Sequence, residues 1–320
     1  MTRDRNWKSR IDFGSNIEVI EKTAEKIVLQ MQDDSGDGAM TQYEVLPGIV
    51  LMYNDFHMDY CRSEFSSDLA IININYCTKG RIEWVLPGER FMYIREGDLQ
   101  IENRRSRAEH FSFPSSHYHG LTVGVLETDL PIETRGFLDK FGIDLKKLTM
   151  QYSGDENMLA YRPSERVERI FEELYVTSWE QSVYYLRIKV LELLMELQEM
   201  DLKERDKTVY FRRSHVEAVK EIARLITGNL NKHYTIASLS ELYHLPPTTL
   251  KICFKGVFGM PVGQYLREYR METAAKMLQK NTESISEIAG KVGYDNQSKF
   301  AAAFRVHKGV SPTEYRKVAV

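Results

Sequence analysis

The last third of the sequence contains an internal repeat with an interval of about fifty residues, and this repeat constrains the fold more than any other feature. Apolar, glycine and tyrosine positions of the first copy recur in the second. The matched pairs are Leu250 and Phe300, Phe254 and Phe304, Gly259 and Gly309, and Tyr265 and Tyr315. A spacing of four is that of one helix face. Each copy therefore predicts a short helix, a tight turn and a second helix with a buried face.

The first copy has clear signals for where its helices begin and end. Thr235 is a favourable N-cap for a helix that runs to about Tyr243. Pro247 suits the first position of the following helix, because no backbone donor is needed there. We predict that this second helix covers residues 247–258 and stops at Gly259, which adopts the left-handed conformation easily.

The second copy has matching signals, with one extra residue in its turn. Ser284 is predicted to cap a helix over 285–291, and Asp295 or Asn296 to cap a second helix over 296–307. Between the copies, residues 262–280 have a helical apolar pattern. Such a stiff connector would hold two major-groove helices near one DNA turn apart, ~34 Å. The alternative, a helical bundle that happens to repeat, needs neither twin turns nor polar outer faces.

This pattern resembles the AraC/XylS family of transcription regulators. The resemblance lies in the runs TIASLS (235–240), LKICFK (250–255), FGMP (258–261), QYLR (264–267), ISEIA (285–289), VGY (292–294) and GVSPTEYR (309–316). In that family the second helix of each helix-turn-helix unit enters a major groove. The resemblance implies a DNA-binding transcription regulator, usually an activator, with an operator and RNA polymerase as partners.

The resemblance also assigns DNA contacts to the outward faces of the two recognition helices. The expected base contacts are Thr248, Lys251 and Ile252 from the first helix, and Asn296, Gln297, Ser298, Ala301 and Ala302 from the second. Gln297 can read adenine with two hydrogen bonds, and small alanines can contact thymine methyl groups. Lys255, Lys299 and Arg305 are expected to hold phosphates, which fixes register without reading sequence.

Two positions depart from the family pattern in the first unit. Pro246 stands where the family usually has a capping serine, so we expect the first recognition helix to begin less firmly. Ile252 stands where a long polar side chain is usual, which weakens direct readout there. Arg270 matches an arginine common in the family's linker helix, and its role can be structural.

Charge is unevenly distributed along the chain. From Arg212 to the end there are 17 Lys and Arg against 9 Asp and Glu, a net charge of +8. The preceding residues have 26 against 37, a net charge of -11. Basic side chains near DNA release counterions from its phosphates and steer association. The basic C-terminal part fits phosphate binding, although a solvated charged face would look similar.

The sequence from Tyr43 to Glu127 has short alternating apolar runs between turn residues, which is typical of an antiparallel sandwich or barrel. Before about residue 40 the sequence is polar, and residues 33–38 predict a flexible stretch. Members of the AraC/XylS family commonly join their DNA-binding module to a cupin-like sensing barrel, and residues 95–99 resemble a corner of such a barrel. We predict the α+β class: a cupin-like antiparallel β barrel plus helices, then an all-α double helix-turn-helix domain.

Helical periodicity replaces the strand pattern after Pro131, with helices predicted over 164–175 and 178–200. The second helix has an apolar stripe of Leu186, Val190, Leu193 and Leu197. The stripe indicates either packing inside the chain or the seam of a homodimer, and family architecture favours the seam. The predicted domains are a sensing barrel (1–160), a dimerisation segment with linker (161–213) and the DNA-binding domain (214–320).

Two kinds of site can be predicted in the barrel. A pocket for a small-molecule effector could be lined by Tyr53, His57, Tyr76, Arg81, Trp84, Tyr93 and His119, the alternative being plain barrel core. His117 and His119, with His57, also provide part of a metal site. The further Glu and His of cupin metal sites are not evident, so we expect neither metal nor cofactor.

Other functional classes have little support in the sequence. Three widely spaced cysteines, Cys61, Cys77 and Cys253, form no zinc pattern and are too few for the methyl-transferring domains fused to some AraC-type modules. Catalytic patterns such as a Ser/His/Asp set or HExxH are missing, so we expect no enzyme. Without a secretory or membrane-spanning apolar run, we expect a cytoplasmic protein. A scaffold that recruits RNA polymerase without a ligand is the alternative to a sensor.

Overall fold

The structure is a computed structural model that describes residues 11–64, 66–67, 69–86, 88–104, 109–127, 129–152, 159–176, 182–200, 209–280 and 283–318. The chain divides into two compact units. The N-terminal unit is formed by Met1–Leu86 and Met92–Tyr210, and the C-terminal unit by Pro87–Phe91 and Phe211–Val320. The predicted α+β class is confirmed, because antiparallel strands dominate the N-terminal part and helices form the C-terminal part.

Strands make up most of the chain up to residue 161. They are β1 (Ile11–Asp12), β2 (Ile17–Lys22), β3 (Lys26–Asp33), β4 (Gly36–Leu46), β5 (Ile49–His57), β6 (Tyr60–Ser63), β7 (Ser66–Ser67), β8 (Ile71–Leu86), β9 (Arg90–Arg95), β10 (Leu99–Arg104), β11 (Glu109–Ser112), β12 (Tyr118–Leu126) and β13 (Leu159–Tyr161). The accompanying helices are α1 (Ile132–Lys140), α2 (Leu145–Tyr152), α3 (Glu165–Val176) and α4 (Val183–Glu199).

One antiparallel path runs through β13, β10, β8, β12, β5, β4, β3 and β2 in that order. The flexible stretch predicted at residues 33–38 is wrong, because β3 and β4 form a hairpin. Its turn is held by a 2.7 Å hydrogen bond from the Ser35 amide to Asp33 Oδ1. The polar sequence of this region is explained by its place at the edge of the sheet, where β2 is largely exposed.

Side chains alternate between the two faces of the central strands. On one face Ile72, Ile74 and Tyr76 are buried in a core shared with α3 and α4. Tyr76 stacks on Phe171 with ring centroids 4.4 Å apart, and burial raises the pKa of Tyr76 to about 12. On the same face the Tyr53 hydroxyl donates to the Leu174 carbonyl at 2.9 Å. The opposite face of these strands lines an interior cavity.

The apolar stripe of α4 belongs to the core under the sheet. Leu186, Val190, Leu193 and Leu197 are all at most 2% exposed and pack with the strands and with α3. Side chains buried this deeply in their own chain are not available to a second copy. The stripe therefore packs within the chain, and the predicted dimer seam at these four residues is corrected.

From residue 211 onward the C-terminal unit is helical apart from β14 (Phe211–Arg212). Its helices are α5 (Arg213–Gly228), α6 (Ile236–Leu242), α7 (Pro247–Phe258), α8 (Val262–Lys280), α9 (Ile285–Lys291), α10 (Gln297–Lys308) and α11 (Pro312–Val318). Residues 201–208 of the predicted linker lie outside the described residues. In the described part of the chain, every helix is too short or too polar to cross a membrane.

Candidate functional site

The first helix-turn-helix unit consists of α6 and α7, and its predicted helix ends are confirmed. The Thr235 side chain accepts a hydrogen bond from the Ser238 amide at 3.0 Å, and Ser238 Oγ accepts one from the Thr235 amide at 3.1 Å. Helix α7 covers the predicted residues 247–258, and Gly259 ends it in the left-handed conformation with φ 84°.

The second helix-turn-helix unit consists of α9 and α10. Ser284 caps α9 as predicted, and Glu287 accepts hydrogen bonds from the Ser284 amide and hydroxyl, both 2.8 Å, which lower the pKa of Glu287. Helix α10 begins and ends one residue later than predicted, because Asn296 is its N-cap. Gly309 ends α10 with φ 78°, in the same way as the first unit.

Both recognition helices are held by the same aromatic arrangement. Phe254 meets Tyr265 edge-on with centroids 5.5 Å apart at 79°, and Phe304 meets Tyr315 at 5.4 Å and 77°. The repeated sequence thus produces repeated geometry. Because this core fixes the inward side of α7 and α10, it also determines which side chains remain outside.

The predicted base-contact residues lie on the outer sides of α7 and α10. Thr248, Lys251, Ile252, Asn296, Gln297, Ser298 and Ala302 are exposed, and Ala301 is half-buried. The predicted phosphate contacts Lys255, Lys299 and Arg305 are exposed as well. Ile252, 57% exposed, can offer an apolar contact but no hydrogen bond. The outer sides are therefore accessible, polar and partly cationic.

The cations of this surface differ in whether a carboxylate neutralises them. Among the residues that the structure describes, Lys251, Lys255 and Lys299 have no ion-pair partner. Lys308, at the end of α10, is instead 2.7 Å from Glu272. Unpaired lysines on the recognition helices are free to meet phosphates, whereas Lys308 stabilises the fold.

The two recognition helices begin differently. Pro246 is the N-cap of α7 and provides no side-chain hydrogen bond. The Asn296 side chain accepts hydrogen bonds from the Ser298 and Lys299 amides at 2.8 and 3.1 Å. Since a side-chain cap stabilises a helix by about 1 kcal/mol, the N-terminus of α7 is less firmly fixed, as the sequence led us to expect.

Arg270 has a structural role in the second helix-turn-helix unit. Its guanidinium donates to the Leu230 carbonyl and lies over the Tyr294 ring, 5.9 Å from the centroid. It also packs against Gly293, which has φ 80° in the turn between α9 and α10. Burial lowers the pKa of Arg270, although an arginine stays charged. Arg270 therefore joins the end of α5 to the turn of the second unit.

One exposed residue of α10 escaped the sequence prediction. Val306 is 89% exposed and follows the predicted phosphate contact Arg305. It stands four residues after Ala302, so the helical period already placed it on the outer side. Its apolar character hid it, because valine is usually assigned to the core.

The N-terminal unit contains a partly open cavity of about 180 Å³ with mostly apolar walls. Of the seven predicted pocket residues, only Trp84 lines it. Tyr53 and Tyr76 point to the other face of the sheet, against the helices. Tyr93 donates to Glu83 Oε2 at 2.7 Å in a buried position. The remaining predicted residues, His57, Arg81 and His119, do not line the cavity either.

A row of polar side chains crosses one wall of the cavity. Asn54 Nδ2 donates to Thr122 Oγ1 at 3.0 Å, Thr122 Oγ1 donates to Asn75 Oδ1 at 2.8 Å, and Asn75 Nδ2 donates to Gln100 Oε1 at 3.2 Å. These residues come from β5, β12, β8 and β10, which are neighbours in the sheet. Amides this well buried mark a place where specific polar recognition is possible.

Comparisons with known proteins place a family match in the C-terminal part of the chain. A helix-turn-helix domain family matches residues 239–318. The HTH-type transcriptional activator AarP of Providencia stuartii is 34% identical over 98 residues, which are 31% of this chain and 73% of AarP. The uncharacterized HTH-type transcriptional regulator YisR of Bacillus subtilis is 31% identical over 151 residues, 46% of this chain and 50% of YisR.

A solved structure is similar to about a third of the chain. The C-terminal domain of AraT, a response regulator from Geobacillus stearothermophilus, is 33% identical, with a TM-score of 0.31 over 32% of this chain and 84% of that domain. The chain belongs to the family of AraC-type helix-turn-helix transcription regulators. Its C-terminal unit is a DNA-binding domain, and the protein is a transcription regulator. The alignment spans only half of YisR.

Proposed function

We propose that the protein recognises an operator by placing α7 and α10 in two successive major grooves. The observation that carries this proposal is the pair of recognition helices with matching cores and exposed polar outer sides. Helix α8 connects them with 19 residues, about 28 Å at 1.5 Å per residue, which is comparable to one turn of DNA, ~34 Å. Activation through RNA polymerase is the mode we propose, and AarP is named an activator.

Within this interface the side chains divide into two groups. Thr248, Lys251 and Ile252 of α7 contact bases, and so do Asn296, Gln297, Ser298, Ala301 and Ala302 at α10. Lys255, Lys299 and Arg305 contact phosphates. Because α10 has a side-chain cap and presents Gln297 in its first turn, sequence is read more strictly by α10 than by α7.

Gln297→Ala should reduce discrimination between operator and random DNA by about 1–3 kcal/mol, because the bidentate contact to a base is lost. Lys255→Ala should weaken binding to both DNAs alike and lower the salt slope by about 1, because one phosphate contact is lost. Fluorescence anisotropy with both duplexes at several salt concentrations measures these quantities.

Lys276→Ala provides a matched control, since Lys276 is exposed on α8 and outside both recognition helices. It should leave affinity and salt slope nearly unchanged. Equal losses on operator and random DNA for Gln297→Ala would contradict the division into base and phosphate contacts. No salt-sensitive binding to any duplex would contradict the proposed interface as a whole.

We propose further that a small molecule in the cavity of the N-terminal unit modulates this activity. Trp84 lines the cavity, and its buried indole N–H has no hydrogen-bond partner among the described residues. The described lining residues include the carboxylate of Glu102 but no lysine, arginine or histidine. An effector that fits is mostly apolar, neutral or cationic, and provides an acceptor for the Trp84 N–H.

Thermal shift assays with matched sets of neutral, cationic and anionic apolar compounds test this proposal. Stabilisation is expected from the first two sets and should reach about 2.7 kcal/mol at a concentration of 100 times Kd. Trp84→Phe should weaken a ligand with an acceptor by about 1 kcal/mol, roughly fivefold. Tyr93→Phe is the control, since Tyr93 does not line the cavity. Stabilisation by anions alone would contradict the proposed class of effector, and a lack of any response would favour the ligand-free scaffold.

The proposed regulator acts as a cytoplasmic homodimer without enzymatic activity. Paired operator half-sites match the two-fold symmetry of a dimer. Since the predicted seam is buried, the second copy must use another surface. The outer side of α4 offers Tyr184, Ile188 and Met195, which are 66%, 62% and 43% exposed. Sedimentation of the full chain measures its oligomeric state.

A further inference from the structure

Strand pairing brings two histidines and a carboxylate together on the outer surface of the N-terminal unit. Asp55 on β5 lies directly opposite His119 on β12, and His57 is two residues along β5 on the same face. Both strands are paired on each side, β5 with β4 and β12, and β12 with β5 and β8. Asp55 and His119 are therefore held by strands paired on both sides, and His57, the last residue of β5, pairs with Asp37 of β4.

The ligand atoms of the three side chains have the separations that a bound metal requires. Asp55 Oδ1 is 2.9 Å from His57 Nε2 and 3.4 Å from His119 Nδ1. One ligand atom from each residue lies within 4.8 Å of the other two. Metal–ligand bonds of 2.0–2.1 Å at tetrahedral angles place ligand atoms about 3.4 Å apart. Small side-chain rotations are enough to complete such a set.

The third histidine of the sequence pattern does not belong to this cluster. His117 Nδ1 is 2.8 Å from the Ser115 carbonyl, and its ring centroid is 6.2 Å from that of His119. The sequence offered His117 and His119, with His57, as part of a metal site but led us to expect no metal. The structure brings His57 and His119 together, edge-on with centroids 5.4 Å apart. Asp55, which the sequence prediction did not consider, connects the two.

The chemistry of the donors and their surroundings selects the kind of ion. Two imidazoles and one carboxylate suit Zn²⁺ and related transition-metal ions, whereas Mg²⁺ and Ca²⁺ require oxygen ligands. Lys79 stands opposite His119 on β8 but is exposed, so its ammonium can extend into water. The side chains of Asp55 and His57 are 53% and 57% exposed, which leaves a coordination position open to water.

From these observations we infer that Asp55, His57 and His119 form a binding site for a divalent transition-metal ion of the Zn²⁺ type. The site lies on the sheet face opposite the cavity and is independent of the proposed effector. Without metal, His57 Nε2 and His119 Nδ1 lie 2.9 and 3.4 Å from the Asp55 carboxylate.

Metal titration of the full chain tests this inference. The protein is purified without a histidine tag, treated with EDTA and titrated with ZnCl₂ by calorimetry and with CoCl₂ by visible absorption. One equivalent should bind per chain, and the cobalt spectrum should lack a thiolate band, because the three cysteines are buried elsewhere. His57→Ala, His119→Ala and Asp55→Asn should each weaken binding at least tenfold, since losing even an outer partner of a metal ligand costs about 10–100-fold.

His117→Ala is the matched control and should keep the affinity within about twofold, as expected of a substitution outside the site. Thermal melting in EDTA shows whether each variant is folded, and His57→Ala should fold because this side chain is more than half exposed. Binding that none of the three substitutions weakens, or that His117→Ala weakens as much, would overturn the assignment. An absence of saturable binding to the folded chain would also overturn it.

Discussion

Replacing Gly293 by alanine should destabilise the second helix-turn-helix unit by about 3 kcal/mol. Gly293 has φ 80°, where a side chain costs about 1–2 kcal/mol. In addition, a Cβ atom would lie well within 3.0 Å of the Leu230 backbone carbonyl and the Arg270 guanidinium. Since that carbonyl cannot rotate away like a side chain, the turn or the end of α5 has to move.

Two further glycines separate these contributions. Gly309 also has a positive φ, but a Cβ there meets nothing within 4 Å, so Gly309→Ala should cost only the conformational term of about 1–2 kcal/mol. Gly290 lies inside α9 with open space around it, and Gly290→Ala should be neutral or stabilising by up to about 1 kcal/mol.

Hydrogen exchange followed by mass spectrometry distinguishes these outcomes in the full chain. Peptides from residues 285–318 should lose protection in Gly293→Ala, while peptides from the N-terminal unit should stay unchanged. Equal protection in Gly293→Ala and Gly290→Ala would show that the turn adapts at no cost, and the structural role given to Arg270 would then be wrong.

Asp98→Ala should have a comparable effect in the N-terminal unit and lower its free energy of unfolding by about 3 kcal/mol. This is the lower end of the range for breaking a buried ion pair. Asp98 is 1% exposed and accepts hydrogen bonds from the Arg95 amide and Nε at 2.8 and 2.9 Å. Arg162 Nε is 3.2 Å from its other oxygen. Removal of the carboxylate leaves these donors without their acceptor, but both guanidinium groups reach water, which limits the cost.

Glu199→Ala is a suitable control for this prediction, because the Lys147–Glu199 pair is exposed and 3.4 Å apart. It should change stability by no more than about 0.5 kcal/mol. Urea unfolding monitored by hydrogen exchange of peptides from residues 90–104 measures both variants. A loss below about 1 kcal/mol for Asp98→Ala would mean that water replaces the ion pairs without difficulty.

The DNA-binding unit was predictable because its helix ends carry local signals. Thr235, Ser284, Gly259 and Gly309 act through neighbours within a few residues, so a linear reading finds them. The role of Arg270 depends on Leu230, forty residues away, and no local signal reveals such a contact.

The N-terminal unit was harder to predict because both faces of its central strands are largely buried. Alternation shows that Tyr53 and Tyr76 share one face and Asn54 and Asn75 the other, but not which face meets the helices. Tyr53 and Tyr76 were assigned to the pocket, whereas Asn54 and Asn75 line it. Similarly, the apolar stripe that includes Leu193 fits a partner helix and its own sheet equally well.

The alternation of β8 also means that the cavity and the core under α3 are separated by a single layer of backbone. Asn75, which touches the cavity, and Tyr76, which holds Phe171 of α3, belong to consecutive peptide units. A molecule that displaces the Asn75 amide must shift the strand on which Tyr76 stands, or else break the hydrogen bonds to Thr122 and Gln100. Occupancy of the cavity can thus be transmitted to α3 across one residue, without a hinge or a moving loop.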